Sequence, residues 1–172
     1  MEFLGLDVPS YGWETVLGSA ISGVFLGSIY ALVALGLTLI YGVLHIINFA
    51  HGALLMLAMY AVFFLWKFLG LDPYLAMIIV VPGAYVFGYG LQRGIIGKAS
   101  HGRDEIILLV TLGVSIVIEN AALFFFSASE RSVLVPYDLD GIDLGVTYAV
   151  YPELIALGGS LLITFALWLF ML

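Results

Sequence analysis

The chain has 172 residues, of which 63% are hydrophobic and only 10% charged, with 5 Lys and Arg against 12 Asp and Glu. A soluble domain averages about 45–50% apolar and about 25% charged, and a fold of this size has too little interior to hide such an excess. The formal charge of −7 lacks the basic footprint of a nucleic-acid binder, and the absence of cysteine removes disulfides and thiolate metal sites.

The stretch from Met1 to Glu14 carries Glu2, Asp7 and Glu14 but no Lys or Arg. A cleavable signal peptide has a basic region there, so the first apolar segment reads as a retained signal-anchor. Between Glu14 and Lys67 no Asp, Glu, Lys or Arg occurs. A helix crossing the hydrocarbon core needs roughly 20 apolar residues, so this stretch is too long for one crossing and suits two with a break between them. Lipid-spanning strands alternate in polarity over about 10 residues, whereas these runs are continuous. The predicted fold class is all-α, a polytopic transmembrane helix bundle of about five membrane segments, with a broken or re-entrant region between the first two.

The first segment runs from Thr15 to Ile40. It carries Ser19, Gly23, Gly27 and Ala31 at four-residue spacing, a pattern that lets membrane helices approach closely and predicts helix packing. Tyr41 to His51 is the expected break, because irregular backbone at membrane depth survives only where protein or a watery cavity surrounds it. Asn48 is placed to cap the second helix. Polar groups this close to hydrocarbon are costly unless paired, so Asn48 and His51 are either structural caps or parts of a pathway. A metal pair of His45 and His51 is disfavoured, since six-residue spacing points them to different helix faces.

The second segment covers Gly52 to Phe68, with Lys67 positioned to snorkel to the interface. A turn at Leu71-Asp72-Pro73 leads to the third, Tyr74 to Gly97. Gly94 to Ser100 faintly resembles a phosphate-binding loop, but Gln92 stands where its first Gly belongs and Ala99 where Ser or Thr is needed. ATP hydrolysis by this chain is therefore not expected. Arg93, Lys98 and Arg103 cluster beside one short loop, which the positive-inside rule places in the cytoplasm. The turn at Leu71 to Pro73 and the N-terminus are then outside, and Tyr41 to His51 lies towards the cytoplasm.

The fourth segment, Ile106 to Phe126, holds Thr111, Ser115 and Glu119 at four-residue intervals, one polar stripe. An ionised Glu is expensive at this depth, so Glu119 must face the bundle interior or a cavity, or be protonated. The stripe either lines a path or braces a helix contact. The outer segment Ser127 to Tyr151 carries Glu130, Asp138, Asp140 and Asp143 without calcium-loop spacing, and Arg131 is a lone basic exception. The fifth segment runs from Pro152 to Leu172. The sequence stops inside this apolar run without an interfacial anchor, which points to a truncated single domain over residues 1–172.

Two motifs carry a resemblance. Ile47-Asn48-Phe49-Ala50-His51-Gly52, preceded by Gly36-Leu37-Thr38-Leu39-Ile40-Tyr41-Gly42, resembles the signature of branched-chain amino-acid ABC transporter permeases. Specifically, it resembles the H-type subunit of the leucine/isoleucine/valine uptake system and the related urea and amide permeases. Thr111-Leu112-Gly113-Val114-Ser115, followed by Glu119-Asn120, resembles the Thr-x-Gly-x-Ser run and Gln-Asn of the same family. The two matches cover the N-terminal half or slightly more of such a permease. Ala53 stands where relatives often carry an acidic residue, and Glu119 where Gln is usual.

The resemblance implies a transport subunit in a bacterial or archaeal plasma membrane, without cofactor or metal. It implies pairing with a homologous or identical permease, two cytoplasmic ABC ATPase subunits, and an extracytoplasmic substrate-binding protein that docks outside. Asn48, His51, Thr111, Ser115, Glu119 and Asn120 become candidates for the translocation path or helix break. An intramembrane enzyme is disfavoured, since neither a His-Glu metal signature nor an activated nucleophile motif is present.

Overall fold

The computed structural model describes residues 2–3, 6–7, 12–100, 104–137, 139–143, 145 and 147–171. Arg103 and Asp138 lie outside the described residues. Five helices are long and apolar enough to cross a membrane, Trp13–Val43, His51–Leu69, Pro73–Ala99, Glu105–Phe126 and Tyr151–Phe170. The expected all-α architecture is what forms. Only 6% to 22% of each span's most apolar stretch is buried within the chain. Exposed Ile78, Val81, Val117 and Leu162 show what the remainder is. Such surfaces suit lipid or other apolar protein, not water.

The chain divides into two compact units, Met1–Leu35 with Pro136–Leu172, and Gly36–Val135. The first holds two small hairpins, most of α1 (Trp13–Leu44) and α6 (Tyr151–Met171). In one hairpin β1 (Glu2–Phe3) pairs with β2 (Leu6–Asp7). In the other, β3 (Gly141–Asp143) pairs antiparallel with β4 (Tyr148–Val150), Ile142 opposite Ala149. These strands were not expected from the apolar runs, because they lie in the polar connections outside them. A Cβ on Gly141 would collide with the Ala149 carbonyl, so the close strand approach requires glycine there. Asp143 Oδ1 accepts the Gly145 N–H at 2.8 Å, and Gly145 takes φ 77, the left-handed geometry that glycine tolerates. The hairpin feeds straight into α6, whose first N–H, on Tyr151, donates to the Asp140 carbonyl at 2.9 Å.

On α1 the stripe of Ser19, Gly23, Gly27 and Ala31 is exposed, and a Cβ on Gly23 or Gly27 would meet nothing within 4 Å. The face that α1 buries instead carries Gly18, Phe25 and Ser28. Ser28 satisfies its hydroxyl on the Phe25 carbonyl at 2.7 Å, the usual solution for a buried polar side chain on a helix.

The second unit begins with the end of α1 and continues through α2 (His51–Leu69), α3 (Pro73–Leu91), a π-helical turn (Gln92–Ile96), α4 (Gly97–Ser100) and α5 (Asp104–Phe126). Gly70 ends α2 at φ 64, its N–H on the Trp66 carbonyl at 2.9 Å. Asp72 caps α3, accepting the Tyr74 N–H at 2.9 Å, with Pro73 in the first turn where its missing donor does no harm. This short connection turns α3 back against α2. Lys67 sits exposed in the last turn of α2, its Nζ 5.8 Å from the Phe63 ring. Gly97 follows the π turn because a Cβ there would lie 2.9 Å from the Gln92 carbonyl oxygen. The other flank of α2 packs on α5, and the Phe126 ring stands 4.7 Å from Tyr60 and 4.9 Å from Phe64.

Candidate functional site

The break between α1 and α2 is shorter than the predicted Tyr41 to His51. Helix α1 continues to Leu44 and stops at His45, whose φ of 57 and N–H bond to the Tyr41 carbonyl at 2.8 Å form a left-handed terminus. A non-glycine residue here carries local backbone strain. The irregular backbone is therefore His45 to Ala50, and His51 already belongs to α2.

Asn48 acts as a cap, but not at the predicted position. The residue preceding α2 is Ala50, which has no side chain to offer. Asn48 instead accepts the Ala50 N–H on its Oδ1 at 3.0 Å, while its carbonyl accepts the His51 N–H at 3.2 Å. The first α-helical bond, Leu54 N–H to the Ala50 carbonyl at 2.9 Å, follows directly. One Asn side chain thus organises the tight turn that starts the helix.

The next backbone donor, Phe49 N–H, is satisfied from elsewhere in the chain. It donates to Thr111 Oγ1 on α5 at 3.3 Å, and the same hydroxyl donates to the Leu108 carbonyl at 3.0 Å. Thr111 is 1% exposed and Ala50, beside Phe49, is equally buried. On the other side of the break, His51 lies against the backbone of α1. A Cβ on Gly36 would lie 3.1 Å from His51 Cε1 and 3.4 Å from Nε2, so the missing side chain makes room for the imidazole.

The polar stripe on α5 divides. Ile107, Thr111, Ser115, Ile118 and Ala122 form its buried face, at the three- and four-residue steps of a helix packed along one side. Glu119 sits at the margin, exposed, and its Oε1 accepts the Ser115 hydroxyl at 2.8 Å. Asn120 is exposed and returns its Nδ2 to the Ile116 carbonyl at 2.8 Å. The structure therefore joins Asn48, His51 and Thr111 around the break, through bonds of their own or of neighbouring backbone, and leaves Glu119 and Asn120 on α5. Among the described residues no three His, Cys, Asp or Glu side chains come together.

Glu119→Gln should change unfolding stability in detergent by less than about 0.5 kcal/mol, because the amide oxygen still accepts from Ser115. A thermal melt showing a loss several times larger would mean that the carboxylate has a second role. Gly36 is the residue that sequence reading passed over. It stands inside the quoted motif, but its link to His51 spans the break, where no periodic signal runs.

Comparison with known proteins gives this geometry a family. The family model for the branched-chain amino acid transport system permease component matches residues 19–172. The chain belongs to that family. It is 32% identical over 125 residues to the high-affinity branched-chain amino acid transport system permease protein BraD of Pseudomonas aeruginosa. That match covers 68% of this chain and 41% of BraD. The corresponding LivH proteins of Salmonella typhimurium and Escherichia coli are each 32% identical over 132 residues, covering 70% of this chain and 41% of theirs. The chain thus matches about 41% of the length of these curated relatives. No solved structure gives a significant match. As a member of this permease family with five apolar spans, the chain is a multi-pass membrane protein.

Proposed function

We propose that this chain forms part of the membrane-spanning permease of an ATP-binding-cassette importer carrying branched-chain amino acids, or related amino acids, amides or urea, into the cytoplasm. Within the permease family, the reading rests most on the Phe49–Thr111 bond, which ties an irregular passage between two spans to the polar face of a third. Irregular backbone at membrane depth is tolerated only where protein or a water-filled cavity surrounds it, which suits a path or a moving joint. Asn48, His51 and Gly36 shape that joint, and Thr111 with Ser115 and Glu119 lines or braces the path beside it.

Gln92 and Ala99 break the phosphate-loop pattern at Gly94 to Ser100, which supports separate cytoplasmic ATPase subunits as the source of power for the cycle. ATP-driven closure of those subunits biases the permease between outward- and inward-facing states by binding one better than the other. A homologous or identical permease completes the path, and an extracytoplasmic binding protein delivers solute. Arg93 and Lys98, at the end of the third span, support a cytoplasmic side for that end and an outer side for the N-terminus.

Reconstitution of the full-length permease with its ATPases and binding protein into proteoliposomes tests this reading. Leucine uptake is expected only with ATP inside the ATPase-facing compartment and binding protein on the opposite side. Uptake that proceeds without ATP would establish a passive channel instead and overturn the importer mechanism.

A further inference from the structure

We propose that the cavity between α2 and the segment following α5 binds the zwitterionic backbone of an aliphatic α-amino acid, with Arg131 receiving the carboxylate and Glu130 the ammonium. The cavity has a volume of about 590 Å³, within the roughly 300–1,000 Å³ of small-molecule sites. Met59, Phe63 and Leu123 give it an apolar wall, and Ser129, Glu130 and Arg131 a polar end. This inference rests on the importer reading above and assigns that importer a substrate subsite.

Arg131 departs from what an interfacial arginine usually does. Its guanidinium carbon lies 5.5 Å from the Phe63 ring centroid, 5.7 Å from Phe64 and 6.0 Å from Phe126. One Nη2 hydrogen goes to the Phe126 carbonyl. Among the described residues its Nε is buried with no acceptor. A buried charged donor left unpaired is costly, and the planar edge of a guanidinium matches a carboxylate or a phosphate. The aromatic rings hold that edge in place by cation–π attraction.

The backbone beside it is strained. Ser127 ends α5 at φ 60, a left-handed position normally given to glycine, with its N–H on the Leu123 carbonyl at 3.0 Å. Its hydroxyl shares a hydrogen bond with Ser129 at 3.0 Å. The strained turn brings Glu130 and Arg131 to one cavity. Adjacent opposite charges over an apolar wall match a zwitterion with a hydrocarbon side chain. A phosphate headgroup would meet the same arginine but be repelled by Glu130, which disfavours an anionic lipid.

The test is equilibrium binding of tritiated leucine to the purified full-length permease–ATPase complex without binding protein. Competitors are leucinamide, which lacks the carboxylate, and 4-methylpentanoate, which lacks the ammonium. In the wild type each analogue should compete about tenfold more weakly than leucine, or worse. Arg131→Gln should weaken leucine to the level of leucinamide and leave leucinamide unchanged. Glu130→Gln should do the same relative to 4-methylpentanoate, and Arg131→Lys should fall between wild type and Arg131→Gln. Equal losses for leucine and leucinamide, or no leucine binding by the wild type, would overturn the proposal. So would an Arg131→Gln defect confined to vesicles containing phosphatidylglycerol and absent in phosphatidylcholine, which marks a lipid headgroup site. Leucine uptake by the same wild-type preparation, with binding protein restored, separates the two readings. Uptake without the expected discrimination removes only the subsite, whereas no uptake of any amino acid, amide or urea removes the import reading and the subsite with it.

Discussion

Replacing Thr111 by Val should destabilise the protein by about 1–2 kcal/mol, while Thr111→Ser should cost clearly less. Valine keeps the shape of threonine, so the substitution isolates the hydroxyl. Thr111 is 1% exposed, and its hydroxyl serves two partners, the Phe49 N–H at 3.3 Å and the Leu108 carbonyl at 3.0 Å. Interhelical hydrogen bonds in membranes average only about 0.6 kcal/mol, with a maximum near 1.7, because membrane-embedded groups find other partners when one is lost. The Leu108 carbonyl fits that average, since α5 still provides its helical bond. Phe49 does not. Its N–H lies in non-helical backbone, and losing Thr111 leaves it to reorganise the break. The upper end of the range is therefore expected, read as a lower unfolding midpoint in detergent.

Position 36 gives the second large effect, and there the size of the side chain decides the sign. Gly36→Ala gains about 0.5–1 kcal/mol of helix propensity and offsets it by asking the His51 ring to move a few tenths of an ångström. The two terms nearly cancel, so alanine should lie within about 1 kcal/mol of wild type. Gly36→Leu cannot be absorbed this way. Its branched end occupies the space of the His51 imidazole, and overpacking of this kind costs about 1–3 kcal/mol. Melting curves of the two variants should separate accordingly, and the His51 ring resonances should shift strongly for leucine and little for alanine. A leucine variant as stable as wild type would show that His51 does not rest on α1.

The spans were legible because each is a long apolar run, and the first two, with no charge or proline between them, are separated by the polar residues His45, Asn48 and His51. Thr15 and Ile40 fall inside Trp13–Val43, and Ile106 to Phe126 falls within one residue of Glu105–Phe126. The break was legible as a place but not in its detail. Its N-terminal edge depends on His45 adopting a left-handed conformation, which sequence leaves open for any residue but glycine and asparagine. Asn48 was recognised as a capping residue, yet it acts two positions before Ala50 through a turn that propensity does not distinguish from a helix start. The stripe of Thr111, Ser115 and Glu119 was visible in its spacing. Which members are buried depends on the angle at which α2 meets α5, a tertiary quantity. Least legible was the Phe49–Thr111 bond, which joins positions 62 residues apart and involves a backbone donor that no side-chain pattern reveals. Arg131 stood out only as a basic exception in an outer segment; its three aromatic neighbours come from two helices.

ATP-driven leucine uptake by the reconstituted full-length importer, measured side by side for wild type, Thr111→Ser and Thr111→Val, tests most directly that the tethered break belongs to the transport path. Thr111→Ser should retain most of the wild-type rate and Thr111→Val should lose most of it, at equal amounts of folded protein. Equal rates for the two variants would contradict the claim.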